Sequence, residues 1–216
     1  MKPEWYLEDL MKRYPILSKI RQPMEEAYQI MKQVFENDKK LLIAGNGGSA
    51  ADSGHIAGEM MKRFQIARPV PKKFTDKLKE IDLKRGKVLS ENLEQALMAI
   101  PLIGQEALMT AYMNDVDCLG VFAQQLYGYA RAGDVFLGIS TSGNSENIIY
   151  AAITAKAMGI KVIALTGNMG GELAQMADCA VIVPETEVYK IQELHLPIYH
   201  CWCHMLELYF FGGGVH

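Results

Sequence analysis

Apolar residues recur every three or four positions through "WYLEDLMKRYPILSKIRQPMEEAYQIMKQVF", which predicts helices over residues 4–37, interrupted near Pro15 and Pro23. The period then changes. Short continuous apolar runs follow at "KLLIAG", "LMAIPLI", "DVFLGIS", "KVIALTG" and "CAVIVPE", several of them ending in small or polar residues and leading into helical text. Strands that are apolar on both faces and alternate with helices build a parallel sheet between two helical layers, an α/β fold. The tail "QELHLPIYHCWCHMLELYFF" returns to a helical period before "GGGVH", and Pro197 within it predicts a kink between Gln192 and His200.

Residues 66–96 break the pattern: they are more charged than their surroundings, contain two prolines and hold too few apolar residues for a core of their own. They read as an inserted surface excursion with helical pieces. The expectation is therefore one domain over residues 1–216, with 1–38 as an N-terminal helical extension and 66–96 as the insertion.

At 216 residues the chain is long enough for one self-sufficient core, and half of its residues are apolar. No stretch reaches the roughly 20 consecutive apolar residues of a spanning helix, and the N-terminus is charged where a signal peptide is greasy. A cytoplasmic protein with no membrane partner is expected. The net charge of -3, with Lys and Arg scattered among Asp and Glu, gives no basic face for nucleic acid. Cys118, Cys179, Cys201 and Cys203 form no C-x-x-C pair and read as thiols of the core.

Two stretches echo each other, "LLIAGNGGSAAD" and "FLGISTSGNSEN". Each is a strand running into a Gly, Ser and Asn turn that opens a helix, so each offers free N–H groups and hydroxyls at the positive end of a helix dipole, a setting for an anion. Asn46, Gly47 and Ser49 in the first turn, and Ser140, Thr141, Ser142 and Ser145 in the second, are the candidate ligand contacts. In an open parallel sheet both turns lie at the carboxyl ends of strands, where ligands bind. Plain helix capping by Ser49 and Ser145 is the alternative for either turn alone. Gly45, Gly47 and Ala50 also satisfy a loose dinucleotide pattern, but the next unit runs into the charged insertion instead of a prompt second strand ending in a ribose-binding acid. No nucleotide cofactor is expected.

"GNGGSAAD", "STSGNSEN" and "KIQELHLPIYH", in that order, resemble the sugar isomerase (SIS) domain and within it the phosphoheptose isomerases, which interconvert sedoheptulose 7-phosphate and a heptose 7-phosphate. The resemblance covers most of residues 30–210. It implies a five-stranded parallel sheet flanked by helices, a homo-oligomer, usually a tetramer, with sites at subunit interfaces, and a sugar phosphate held by the "STSGNS" turn.

His55 and Glu59 are spaced i, i+4 on one helix face, and Gln192 and His200 are eight residues apart, about 80° of rotation over two turns. Aldose–ketose conversion passes a proton between adjacent carbons through an enediol, which needs a base and a group that protonates the neighbouring oxygen. The resemblance assigns these roles to Glu59 and His200, and a zinc ion to His55, Glu59, Gln192 and His200 in some members. Glu59 as a solvated helix residue pairing Lys62 or Arg63 is the plain alternative, and His195 and His204 read as core or surface histidines. This chain departs from the family at Tyr189 and Gln105, where aspartates are the rule, with Glu106 as a shifted match for the second. A non-catalytic SIS module that binds a sugar phosphate or protein partners, and an enzyme for another sugar phosphate, stay open.

Overall fold

The computed structural model describes residues 2–213. After α1 (Glu4–Arg13) and a 3-10 turn (Pro15–Ile20), the chain forms α2 (Arg21–Glu36), β1 (Leu41–Gly45) and α3 (Gly48–Met61). Then come α4 (Lys72–Ile81), α5 (Leu83–Asn92), β2 (Ala99–Pro101), α6 (Glu106–Asp115) and α7 (Val121–Tyr129). The chain closes with β3 (Val135–Ser140), α8 (Glu146–Ala157), β4 (Lys161–Thr166), α9 (Gly171–Met176), β5 (Cys179–Ile182) and α10 (Val188–Phe211). The five strands are parallel, in the order β2-β1-β3-β4-β5.

Successive strand residues point to opposite faces, and both faces are covered. Leu41, Ile43, Leu137, Ile163 and Leu165 join one core with residues of α1, α2, α3 and α10. Leu42, Ala44, Phe136, Val162 and Ala164 join the other with α7, α8 and α9. The N-terminal helices pack as a layer of the sandwich: Leu7, Leu10, Met24 and Ala27 are at most 1% exposed, and the Trp202 indole N–H donates to the Met24 carbonyl at 2.9 Å.

Four details bear on the sequence reading. Pro23 does not break α2, because it sits in the first turn, where a proline's missing N–H has no helical partner to lose. Residues 97–103 yield only the three-residue β2, an edge strand that ends on Pro101, as edge strands allow. α10 runs as one helix through Pro197. Cys118 is exposed in the α6–α7 connection, while Cys179, Cys201 and Cys203 are buried free thiols.

The insertion is a helical hairpin, α4 and α5, joined so closely that a Cβ on Gly86 would collide with the Leu78 carbonyl. Gly86 is the only buried residue of the two helices. The hairpin's roots are pinned together, with Pro69 bridged to Glu94 and the Gln95 N–H donating to the Arg68 carbonyl at 2.7 Å. Among the described residues no helix is long and apolar enough to cross a membrane.

Candidate active site

β1 and β3 are neighbours at the point where the strand order reverses, and both glycine-serine turns leave from their carboxyl ends. Such a switch point opens a crevice between diverging connections. The first turn places Gly47 at φ +54°, a left-handed value that glycine adopts without strain, so that α3 starts directly above the sheet. In the second turn Gly143, at φ +68°, lies so close to the Gly170 carbonyl that a side chain there would overlap it.

The two turns are tied together. Asn46 Nδ2 donates to Asn147 Oδ1 at 2.8 Å and Asn147 Nδ2 returns to Asn46 Oδ1 at 2.9 Å, a reciprocal amide pair across the crevice. Ser140 and Ser145 hydroxyls are hydrogen-bonded at 2.9 Å, and the Asn144 N–H donates to Ser142 Oγ at 3.1 Å. The following loop braces the second turn: the Leu173 N–H donates to the Gly143 carbonyl, the Glu172 N–H to Asn144 Oδ1 and the Gly167 N–H to the Thr141 carbonyl. Asn46, Gly47 and Ser142 are exposed to the crevice, whereas Ser49 and Ser140 are each only 3% exposed.

α3 and α10 lie side by side in the same direction, since Gly48 meets Gln192, His55 meets Tyr199 and His200, and Phe64 meets His204. The Gln192 amide fills the space above Gly48, where a Cβ would lie 2.5 Å from its Nε2, so Gln192 belongs to the phosphate end. Farther along, His55 and His200 rings meet edge to face with centroids 4.9 Å apart, and His55 Nε2 is 3.4 Å from Glu59 Oε1. The structure therefore brings Glu59, His55 and His200 into one cluster, from segments separated by more than 140 residues.

Glu59 is sheltered, its side chain 13% exposed, and pairs with Lys62 at 2.8 Å. The pairing with Lys62 anticipated for a solvated residue does exist, but on a carboxylate turned toward α10. Burial, and then the neighbouring His55, hold the His200 ring below the ordinary histidine range, against the opposing pull of Glu59. Its Nε2 is buried without a hydrogen-bond partner. A neutral imidazole is the result at neutral pH, able to donate one proton and accept another.

Two residues that spacing did not flag complete the cluster. The Tyr199 hydroxyl donates to Asp52 Oδ1 at 3.2 Å and lies 3.0 Å from His55 Nδ1. Burial raises the Asp52 carboxyl, with Tyr199 and His55 pulling the other way, and burial followed by Asp52 raises the Tyr199 phenol. Asp52, His55 and Glu59 occupy positions i, i+3 and i+7 of α3, so their common face was legible in the sequence. Tyr199 carried no such signal.

The zinc set implied by the resemblance does not close here. Gln192 sits above Gly48 while His200 lies about 12 Å further along the α10 axis. Among the described residues no three His, Cys, Asp or Glu side chains converge closely enough to hold a metal. Tyr189 is 55% exposed at the start of α10, and Gln105 and Glu106 open α6. His195 is fully buried and its Nε2 lies 3.3 Å from the Thr166 carbonyl, while His204 is stacked between Tyr6 and Phe64, so both are packing residues. A cavity of about 390 Å³ at the opposite ends of the strands is bordered by Lys39, Asp134 and Lys161; Asp134 is already engaged by Lys40 at 2.6 Å.

Comparison with known proteins gives the same site a lineage. A family model described as SIS domain matches residues 6–99 and 93–167. A phosphoheptose isomerase of Sulfurimonas denitrificans is 40% identical over 89% of this chain and 86% of its own length, and one from Akkermansia muciniphila is 33% identical over 93% and 92%. The solved phosphoheptose isomerase of Francisella tularensis superposes with a TM-score of 0.74 at 29% identity, covering 94% of this chain and 95% of that one. That of Neisseria gonorrhoeae gives 0.71 at 33% identity, covering 92% and 94%.

Proposed function

This chain belongs to the SIS domain family and, within it, to the phosphoheptose isomerases, and we propose from that membership how its own residues convert sedoheptulose 7-phosphate to D-glycero-D-manno-heptose 7-phosphate. The crevice between the two glycine-serine turns takes the phosphate, with Asn46, Gly47, Thr141, Ser142 and Ser145 around it, Ser49 and Ser140 shaping the turns from beneath, and Gln192 reaching the adjoining oxygens. Glu59 takes the proton from C1 of the ketose while His200 gives a proton to the C2 oxygen, forming the enediol. His200 then recovers a proton from the C1 oxygen as Glu59 returns its own to C2, leaving the aldose.

The observation that carries this reading is the placement of the Glu59, His55 and His200 cluster downstream of the phosphate crevice on the same two helices. From Gly48 to Glu59 is about 16 Å of helix rise, and the glutamate side chain leans back toward the helix start. An extended chain of seven carbons ending in a phosphate ester spans about 10 Å, by the same bond lengths that set peptide reach. A seven-carbon sugar phosphate thus bridges the two ends, and a triose phosphate falls short. In this reading the proton transfers are given to Glu59 and His200.

The reading extends to a cytoplasmic homo-oligomer, a tetramer in the resemblance. Phe74, Ile81, Leu83 and Val88 expose 44–85% of their surface on the α4–α5 hairpin, an apolar face that a second copy would cover. Light scattering on a sizing column reads the stoichiometry.

Turnover of sedoheptulose 7-phosphate by the purified protein, beside Glu59→Gln and His200→Ala, tests the assignment. Loss of at least about 100-fold in kcat in both variants, with calorimetric binding of the sugar phosphate preserved, is expected. Binding without turnover in the parent protein would replace the enzyme by a sensing module, and equal turnover of triose or pentose phosphates would remove the span argument.

A further inference from the structure

Three helices of ten residues each lie outside both cores: α4 and α6 bury none of their residues, and α5 buries only Gly86. Within the chain α4 and α5 pack chiefly on each other, and α6 on α7. Helices that short are marginal in water on their own, so an uncovered apolar face on them calls for a partner. Phe74, Ile81 and Leu83 on the hairpin, and Met113 and Val116 along α6 and its exit, are 41–85% exposed. The exposed apolar side chains of the two surfaces together amount to roughly 900 Å² per copy, which reaches the area of about 800 Å² that each partner of a stable complex buries.

The two surfaces carry opposite charge. Residues 72–93 hold seven Lys and Arg against four Asp and Glu, in a chain whose net charge is -3, whereas residues 101–130 hold Glu106, Asp115 and Asp117 with neither lysine nor arginine. Among the described residues no hairpin lysine has an ion-pair partner and none of those three carboxylates has one; the pair within the hairpin is Arg85 with Asp82. The hairpin is also held ready, because Glu94 at its root accepts from the Arg63 N–H at 2.9 Å and pairs with Arg63 Nε at 3.1 Å, at the end of α3. Docking a braced arm costs little ordering. We infer that the α4–α5 hairpin of one copy docks on α6 of a second copy, and that two-fold symmetry makes the contact reciprocal, the basic hairpin of each chain lying on the acidic helix of the other. Hairpin on hairpin would instead bring two basic surfaces together. The inference rests on the homo-oligomer reading above and names the surfaces that make the contact.

Charge reversal tests the contact, with self-association read by light scattering across a dilution series. Lys73→Glu, Lys77→Glu and Lys84→Glu together, or Asp115→Lys with Asp117→Lys, are each expected to weaken association at least about 100-fold, and mixing the two variants is expected to restore it, because the mixed pair is complementary at both contacts. Ile81→Asp with Leu83→Asp, on side chains that support no core, is expected to weaken it as well. Circular dichroism checks that every variant is folded. A monomeric parent overturns this contact together with the homo-oligomer reading, whereas an oligomeric parent indifferent to the reversals, or variants that stay apart when mixed, overturns the contact alone. An effect of the hairpin reversal without one from the α6 reversal means that hairpins pair with each other. Pelleting of the parent with anionic phospholipid vesicles, abolished by the hairpin reversal while the oligomer stays intact, means that the hairpin serves a membrane, and either result overturns the proposal.

Discussion

Glu207 lies on α10, 1% exposed, and its carboxylate accepts four hydrogen bonds: from the Phe64 N–H at 2.6 Å, the Gln65 N–H at 2.8 Å, and Arg68 Nε and Nη2 at 3.0 and 2.9 Å. Arg68, also 1% exposed, further donates to the Met60 and Glu59 carbonyls at 2.7 and 3.1 Å, and its guanidinium packs 4.6 Å from the Phe211 ring. The pair therefore fastens the last turn of α3, which carries Glu59, to α10, which carries His200. Replacing Glu207 by Gln leaves a guanidinium buried without its counter-charge and an amide facing backbone donors that it satisfies only in part. Removing one member of such a pair costs about 3–5 kcal/mol. In a chain of this length that lowers the melting temperature by about 6–20 °C. Arg68→Met costs a similar amount through the stranded carboxylate, while Arg68→Met with Glu207→Gln leaves no buried charge and falls well short of the sum. Urea and thermal unfolding of the four proteins form a closed cycle. A Glu207→Gln cost under about 1 kcal/mol, or additive losses in the double variant, would refute the idea that this pair is sealed from water.

Three further outcomes are expected. Burial pushes the His195 imidazole down to about 4 from its ordinary 6.5, so the unfolded chain binds the extra proton between those values and the folded one does not. Stability is therefore full above about pH 6.5 and falls as pH drops toward 4, by about 3 kcal/mol from this residue, and His195→Leu should flatten that slope in pH-dependent unfolding; an unaltered slope refutes it. Asn147→Ala breaks the amide pair between the two turns and is expected to raise KM for the sugar phosphate about three- to tenfold with a smaller change in kcat, so steady-state kinetics with unchanged KM would count against the shared crevice. Gly143→Ala forces a side chain into a left-handed backbone position against the Gly170 carbonyl, and a loss of about 2 kcal/mol or more in unfolding free energy is expected, with a neutral result excluding the tight contact.

The local code of the chain was legible wherever period and composition speak for themselves. Continuous apolar runs marked the five strands because a strand covered on both faces needs no polar side, and the repeated glycine-serine turns marked the crevice because few other residues permit a close helix start above a sheet. The spacing of Asp52, His55 and Glu59 on one helix face was likewise present in the sequence. Pairing across the chain was not. That Gln192 serves the phosphate end while His200 serves the carboxylate end follows from α3 and α10 running side by side, a register set by packing between elements more than 100 residues apart. The same packing drew α1 and α2 into the core, placed Tyr199 between Asp52 and His55, and buried Arg68 against Glu207. Periodicity reports which face of an element is apolar, and only the assembled layers decide which side chain stands opposite which.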